Sequence, residues 1–277
     1  MKNEYLEKFE KYLKLAGYSP LTISRYLKVL IDFLNIYPTP EKATTQNLID
    51  FALTKPSNAY RKQAQGVFKH FFKTIVPKKE ILTLLPSIKN KKKIPQILTT
   101  SEIKLILDKT KNLKHLAMLH LIYYSAIRSS EFINLKIENV NGTDFEIHIQ
   151  NGKGAKDRII PIPEETIILL RKYYKKYKPK MYLFNGQIKV HRYTSESLQK
   201  VVKQAVRRAH ILKNISPHSL RHSRATHLIT NGVDIKTVQE FLGHNSIKTT
   251  EAYLHICKHQ MKRSIVLADE TIRLKAA

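Results

Sequence analysis

Apolar residues at helical spacing run through most of this 277-residue chain, and one segment rich in proline and lysine interrupts them. The stripe that includes Phe9 and Leu13 is the first of many. Such a stripe covers one face of a helix and favours burial against other helices. The interruption, residues 86–97, has the composition of an interdomain linker. We therefore predict two largely helical domains, residues 1–85 and residues 98–277.

A short sheet is predicted within the second domain. The dipeptide Asn141-Gly142 favours a hairpin turn, and apolar residues alternate with polar ones over Phe145–Ile149. A second turn, Asn151–Gly154, contains Lys153. The expected fold class is therefore mainly α, with a small antiparallel β-sheet in the second domain.

The formal net charge of +27 indicates a polyanionic partner. Basic residues exceed acidic ones by 11 over residues 1–97 and by 16 over the remainder, so both domains are expected to face the same polyanion. Nucleic acid fits this excess best, because lysines neutralise phosphates along its backbone. The linker lysines Lys91, Lys92 and Lys93 are predicted to lie along DNA, and a merely solvated run is the alternative.

Several classes of protein are disfavoured. The single cysteine, Cys257, cannot form an internal disulfide or a thiolate zinc cluster. The absence of a signal peptide or an apolar run of membrane-spanning length predicts a cytoplasmic protein. His218 and His222 have a spacing that suits a metal, but Arg221 between them would repel a dication. The sequence contains no Walker loop, so we expect no ATP. We likewise expect no metal and no other cofactor.

The most reactive residues gather near the C-terminus. Ser216-Pro217 is a typical helix start, and His218, Arg221 and His222 then share one helix face.

Gly243 is expected to end the next helix, which leaves His244 just beyond it. Thr249-Thr250 is predicted to start a last helix that carries Tyr253. A lone histidine or tyrosine is more often structural, and most of the fourteen tyrosines are expected to be so.

Together with residues upstream, this cluster could cleave a phosphodiester without a metal. Arginine forks such as Arg128 and Arg221 can bind the nonbridging oxygens of the transition state. A lysine or histidine can protonate the leaving alkoxide. A phenol such as Tyr253 can attack phosphorus, and we expect nearby cations to lower its pKa.

Five ordered motifs resemble those of the tyrosine site-specific recombinases, the phage-integrase family. The family's G-L-R-x-x-E-L-x-x-L reads AIRSSEFINL here, with Ala126 in place of the usual glycine. Its G-K-G-x-K-x-R motif is matched by residues 152–158. The H-x-L-R-H and L-G-H boxes are intact, starting at His218 and Leu242. Tyr253 follows His244 by nine residues, as in the family.

The resemblance implies a role for each matched residue. Tyr253 would attack the scissile phosphate and form a 3′-phosphotyrosyl bond, while Arg128 and Arg221 clamp that phosphate. Lys153 would protonate the leaving 5′-oxygen, with Lys156 as a rival. His218 would act in acid–base transfer, and His244 would donate a hydrogen bond to a nonbridging oxygen.

The residues flanking these groups and the assembly are expected to follow the family as well. Lys156 and Arg158 are predicted DNA contacts, whereas Glu131 and His222 are predicted to be structural. The resemblance implies a two-domain C-shaped clamp on double-stranded DNA, a dimer on one site and a tetramer in the synaptic complex. The C-terminal helix, residues 259–277, is expected to dock on a neighbouring subunit, and packing on its own domain is the alternative.

Three other functions are weighed against recombination through a Holliday junction. A type IB topoisomerase-like enzyme would share the chemistry but exchange no partners. A DNA-binding regulator derived from a recombinase would be expected to have lost one of the six catalytic groups. A structural, chromatin-like protein would not need the ordered motifs. The target sequence, and the choice between chromosome-dimer resolution and integration or excision of a mobile element, stay open.

Overall fold

The chain divides into two compact units, residues 1–93 and residues 94–277. The structure, a computed structural model, describes residues 2–88, 95–150, 157–186 and 191–254. The predictions for Lys91, Lys92, Lys93, Lys153, Lys156 and the C-terminal helix 259–277 lie outside the described residues.

The first unit is helical and has an aromatic core. Its helices are α1 (Lys2–Leu15), α2 (Pro20–Ile36), α3 (Thr45–Leu53), α4 (Asn58–Thr74) and the single turn α5 (Glu80–Thr83). Phe33 packs edge to face against Phe51 and Phe68, and all three rings are buried.

A capping serine and a proline mark the start of α2. Ser19 caps the helix, and Pro20 occupies its first turn. The Ser19 hydroxyl accepts a hydrogen bond from the backbone N–H of Thr22 at 3.3 Å. A capping serine followed by proline is a strong signal for the start of a helix. Proline has no backbone N–H, and an N–H at that position would have no acceptor within the helix.

The second unit combines helices with one sheet. Its helices are α6 (Thr100–Asp108), α7 (Leu113–Ser125), α8 (Ser129–Asn134), α9 (Glu164–Tyr177), α10 (Ser195–Arg208), α11 (Pro217–Thr230) and α12 (Ile235–Leu242). A further helix, α13, is described over residues 247–254. Thr99 caps α6 together with Glu102. The last helix, α13, begins at Ile247 rather than at the predicted Thr249.

The sheet confirms the predicted antiparallel arrangement. Strands β1 (Val140–Asn141), β2 (Glu146–Ile149) and β3 (Arg158–Pro161) lie in that order. Ile147 pairs with Ile160, and both side chains are buried in the core of this unit. Phe145 was expected in the strand, but its φ of 56° places it in the left-handed turn before β2. The fold class is therefore mainly α with a small antiparallel sheet, as predicted.

The ends of the predicted linker hydrogen-bond to their own units. In the first unit, the Pro86 carbonyl accepts a hydrogen bond from Gln65 at 2.9 Å. In the second, the backbone N–H of Asn214 donates to the Gln96 side chain at 2.6 Å. The Ile97 carbonyl accepts from Lys213 at 2.9 Å.

A buried polar relay ties α7 to α11 and to the entry of the second unit. The Tyr123 hydroxyl lies 2.8 Å from Nδ1 of His227, whose Nε2 lies 2.9 Å from the Leu98 carbonyl. The backbone N–H of Leu98 in turn donates to the Ser223 hydroxyl at 2.9 Å. These bonds satisfy polar groups that burial would otherwise penalise, so they fix the relative position of the two helices. In the described part of the chain, no helix has the length and apolarity needed to cross a membrane.

Ala126 stands where the family's first arginine motif has glycine, and the structure explains this departure. It ends α7 with a φ of 48°, in the left-handed region where glycine is normally preferred. Its side chain is fully buried against Tyr253, Val238 and Leu242. The methyl group therefore gains burial that offsets the strained backbone.

We expect Ala126→Gly to change the free energy of unfolding by less than about 1 kcal/mol, because relief of left-handed strain and loss of a buried methyl oppose each other. Ala126→Val should destabilise by more than about 2 kcal/mol, because it adds volume and β-branching where neither fits. Urea unfolding of the two variants measures both effects. Equal losses in the two variants would contradict this account.

Candidate active site

Among the described residues of the second unit, Arg221 is the most deeply buried charged residue. It lies on α11, and only 1% of its surface is exposed. Its guanidinium donates to the Ala126 carbonyl at 2.5 Å and to the Leu242 carbonyl at 2.7 Å. These carbonyls lie at the C-terminal ends of α7 and α12, where the helix dipoles favour a cation. Three helices therefore fix the orientation of this one side chain.

Burial and the charge of Arg128 lower the pKa of Arg221 to about 10, so the group still carries its charge at neutral pH. Among the described residues, no carboxylate forms an ion pair with it. A buried charge without a counter-ion is costly to maintain. The arrangement is therefore best suited to receive an anion.

Arg128 lies just before α8 and is held on two sides. Its Nη1 donates to Glu131 at 2.8 Å, and its Nη2 donates to the Gly243 carbonyl at 2.6 Å. The Glu131 carboxylate also accepts the backbone N–H of Arg128 at 2.8 Å. The side chain of Arg128 remains 23% exposed, so it can still reach a ligand.

Glu131 bridges two arginines. Besides Arg128, it accepts two hydrogen bonds from Arg158, at 3.1 and 2.8 Å. Burial alone would raise the pKa of Glu131, but the hydrogen bonds from Arg158 and from the Arg128 backbone outweigh it and lower the pKa to about 2. This carboxylate is therefore ionised, and it fixes the orientation of both guanidinium groups.

Arg158, a predicted DNA contact, is held by other groups of the protein. Its side chain is only 12% exposed, and its Nε donates to the Phe241 carbonyl at 3.3 Å. Glu131 is the ion partner of this guanidinium, so the guanidinium donates its hydrogen bonds to groups of the protein rather than to solvent. We assign Arg158 to the support of Glu131.

Gly243 allows the end of α12 to approach Arg158. Its φ of 64° is left-handed, and an added Cβ would lie 2.9 Å from a guanidinium nitrogen of Arg158. Both the backbone conformation and the close approach therefore require glycine. The next residue, His244, is held by a 2.9 Å hydrogen bond between its Nδ1 and the Thr250 hydroxyl. Burial, with Arg221 and Arg128, lowers the pKa of His244 to about 4.

Tyr253 lies on α13 with 3% of its surface exposed. Its hydroxyl lies 2.8 Å from Nδ1 of His222. We expected cations to lower the pKa of this phenol, and the structure corrects that expectation. Burial raises the pKa of Tyr253 more than Arg221 and Arg128 lower it. The phenol is therefore protonated at neutral pH.

The two histidines of α11 lie side by side. The rings of His218 and His222 are 4.1 Å apart between centroids and tilted by 70°. Burial, together with Arg221 and Arg128, lowers the pKa of His218. Burial, followed by His218 and Arg221, lowers the pKa of His222 to about 4. Both imidazoles are neutral at pH 7, so the arginines supply the positive charge of the site.

Five of the six predicted catalytic residues thus meet in one place, and Lys153 lies outside the described residues. The five are Arg128, His218, Arg221, His244 and Tyr253. The sequence did not predict the hydrogen bond between His222 and Tyr253. Helical spacing places His222 on the same helix face as Arg221 but does not show which residue lies opposite it. The described residues contain no group of three histidine, cysteine or acidic side chains arranged to hold a metal.

The low pKa of Glu131 gives a pH-dependent test of the arginine bridge. A carboxylate whose pKa falls from 4.5 to about 2 on folding stabilises the protein above pH 4.5, and this stability is lost as the pH falls towards 2. Glu131→Gln should therefore cost about 2–3 kcal/mol at pH 7 and progressively less between pH 4.5 and 2. Urea unfolding at a series of pH values measures this.

The matched control is Glu138→Gln, because the side chain of Glu138 is 65% exposed and its ion pair with Lys136 lies at the surface. This control should change stability by less than about 0.5 kcal/mol at any pH. A Glu131→Gln protein with the wild-type dependence of stability on pH would contradict the assignment.

Comparisons with known proteins identify the family of this chain. The model of the phage integrase family matches residues 90–260, more than half of the chain. Tyrosine recombinase XerA of Pyrococcus horikoshii is 30% identical over 269 residues, which cover 95% of this chain and 93% of that protein. A tyrosine recombinase of Thermosipho africanus is 38% identical over 174 residues, which cover 61% of this chain and 60% of that protein.

A solved structure supports the fold. The XerH site-specific recombinase bound to palindromic difH substrate, a post-cleavage complex, superposes with a TM-score of 0.74 at 22% identity. That match covers 95% of this chain and 85% of the XerH chain. By its matched length, its motifs and its site, the chain belongs to the phage integrase family, the family of the tyrosine site-specific recombinases.

Proposed function

We propose that this chain is a site-specific DNA recombinase that cleaves and rejoins strands through Tyr253. The phenolic oxygen attacks the scissile phosphate, forms a 3′-phosphotyrosyl bond and releases a 5′-hydroxyl. The 5′-hydroxyl of a partner strand then attacks that bond and frees the tyrosine. Two such exchanges, through a Holliday junction, complete recombination. The bond energy is kept in the protein–DNA link, so the reaction needs no ATP.

One observation carries the proposal: the buried Arg221 guanidinium has no carboxylate partner among the described residues, and Arg128 lies beside it. Two guanidinium groups held in fixed orientation can neutralise the charge that develops on the nonbridging oxygens. Their geometry is set before DNA binds, so little reorganisation is needed during the reaction. This arrangement supplies the stabilisation that a metal supplies in other phosphoryl-transfer enzymes.

The remaining groups complete the reaction in our proposal. Lys153 protonates the leaving 5′-oxygen, and Lys156 lies close enough in sequence to be its rival. His244 donates a hydrogen bond to a nonbridging oxygen, with its ring fixed by Thr250. His218 contributes to proton transfer beside Arg221.

Double-stranded DNA is the proposed partner, and the net charge of +27 supports it. XerH is known bound to its difH substrate, and we extend DNA binding to this chain on the basis of the shared fold and motifs. We further propose a C-shaped clamp of two domains, residues 1–85 and 98–277, joined by the linker 86–97. Two copies would bind one site, and four would form the synaptic complex in the cytoplasm, with helix 259–277 docking on a neighbour.

The test is covalent trapping on a nicked DNA site, where the short cleaved strand diffuses away and prevents rejoining. The wild-type protein should form an SDS-resistant adduct, and Tyr253→Phe should form none while keeping its fold, because only the hydroxyl is removed. Tyr173→Phe is the matched control, because Tyr173 is also buried but packs against Tyr177 and Phe184 in the core. An adduct that survives Tyr253→Phe would overturn the proposal. Relaxation of supercoiled DNA without strand exchange between two sites would instead favour a type IB topoisomerase.

Salt dependence tests the proposed linker contacts. The logarithm of the DNA association constant should fall linearly with the logarithm of salt concentration, with a slope of about −0.9 per phosphate contact. Replacing Lys91, Lys92 and Lys93 together with glutamine should make the slope shallower by about 2 to 3. Replacement of the same three by arginine keeps the charge and should leave the slope unchanged. A glutamine variant with the wild-type slope would show that the linker does not contact phosphates.

A further inference from the structure

The proton of the Tyr253 hydroxyl needs an acceptor when its oxygen attacks phosphorus. We propose that His222 is this acceptor, the general base of strand cleavage, an inference that rests on the proposed function. His222 Nδ1 lies 2.8 Å from the Tyr253 hydroxyl, within reach for direct proton transfer.

The other imidazoles of the site are engaged elsewhere. The Nδ1 of His244 is bonded to the Thr250 hydroxyl, and its ring lies parallel to that of Tyr253 at 6.4 Å between centroids. The His218 ring lies against His222, with centroids 4.1 Å apart. Among the described residues, His222 is therefore the imidazole in hydrogen-bond contact with the attacking oxygen.

The helix that carries His222 also sets its position relative to the phosphate. His222 directly follows Arg221, whose guanidinium is fixed by the Ala126 and Leu242 carbonyls. A base on the same helical turn as the phosphate clamp keeps the attacking oxygen in register with phosphorus. His222 therefore both orients the Tyr253 hydroxyl and receives its proton.

The protonation states of the two partners match these roles. The groups around His222 are His218 and Arg221 on α11, His244 after α12 and Tyr253 on α13. Burial, followed by His218 and Arg221, holds the pKa of His222 at about 4, so Nδ1 has a free lone pair when Nε2 carries the ring proton. Burial raises the pKa of Tyr253, so the phenol retains its proton until reaction begins. A phosphate bound at Arg221 would offset the positive charge that now disfavours an imidazolium.

The step balances in atoms and charge. The bond from the Tyr253 oxygen to phosphorus forms as the phenolic proton moves to His222 Nδ1. The bond from phosphorus to the 5′-oxygen breaks, and that oxygen takes a proton from the proposed acid, Lys153. Rejoining reverses both transfers, so the imidazolium returns its proton to the phenol.

The experiment measures single-turnover cleavage of a nicked DNA site between pH 6 and 9. His222→Asn places an amide oxygen near the position of Nδ1, so it can accept the hydrogen bond but cannot take the proton. We expect cleavage to be slower by about 100-fold at pH 7, within the range for loss of a general base. The defect should shrink by about tenfold per pH unit, because solvent deprotonation of Tyr253 replaces the base.

A second substrate separates the base from the acid. A 5′-bridging sulfur leaves without protonation, so it should restore cleavage by Lys153→Ala but not by His222→Asn.

If His222→Asn folds poorly, His222→Ala with added imidazole also tests the assignment of His222, because free imidazole in the vacated space should restore cleavage.

Three results would overturn the assignment of His222: a wild-type rate in His222→Asn, a defect that does not change with pH, or rescue by the bridging sulfur. Each of these outcomes requires that the wild-type protein form the covalent adduct. Failure of the wild-type protein to form it would instead overturn the proposed function itself.

Discussion

The burial of the Arg221 guanidinium is the constraint on which the rest of the site depends. A charged group that is 1% exposed must be held by oriented dipoles, and the carbonyls of Ala126 and Leu242 provide them. The end of α7 must therefore turn sharply at Ala126, even though the left-handed backbone of this residue is strained. The end of α12 must turn equally sharply at Gly243, which brings His244 into the site. The geometry of the candidate site follows from the hydrogen bonds that one buried guanidinium requires.

A second layer supports this arrangement through Glu131. The carboxylate lies between Arg128 and Arg158, and its low pKa means that it stays charged through any physiological pH change. Arg158 in turn contacts the Phe241 carbonyl, next to the end of α12. The motifs that are separate in sequence are thus connected in space: the first arginine motif, the strand β3 and the Leu-Gly-His box share one network of hydrogen bonds. This connection explains why the glycine of that box tolerates no side chain.

Much of this could be predicted from the sequence, and the failures have physical causes. Helical stripes, the Ser216-Pro217 start and the glycine at the end of α12 are local signals, and each predicted its element. The start of α13 was placed at Thr249 instead of Ile247, because threonine pairs resemble caps wherever they occur. The pKa of Tyr253 was expected to fall, since sequence shows neighbouring cations but not burial. The hydrogen bonds of Arg158 and His222 cross from one element to another, and spacing along a single helix or strand cannot reveal them.

In our proposal, Tyr253 is the residue that becomes joined to DNA. Mass spectrometry of the trapped adduct after trypsin and nuclease digestion tests this most directly. Cleavage after Lys248 and Lys258 isolates a peptide, residues 249–258, in which Tyr253 is the single tyrosine. We expect a nucleotide attached through its 3′-phosphate to Tyr253 of this peptide. Attachment to any other residue, or through a 5′-phosphate, would contradict it.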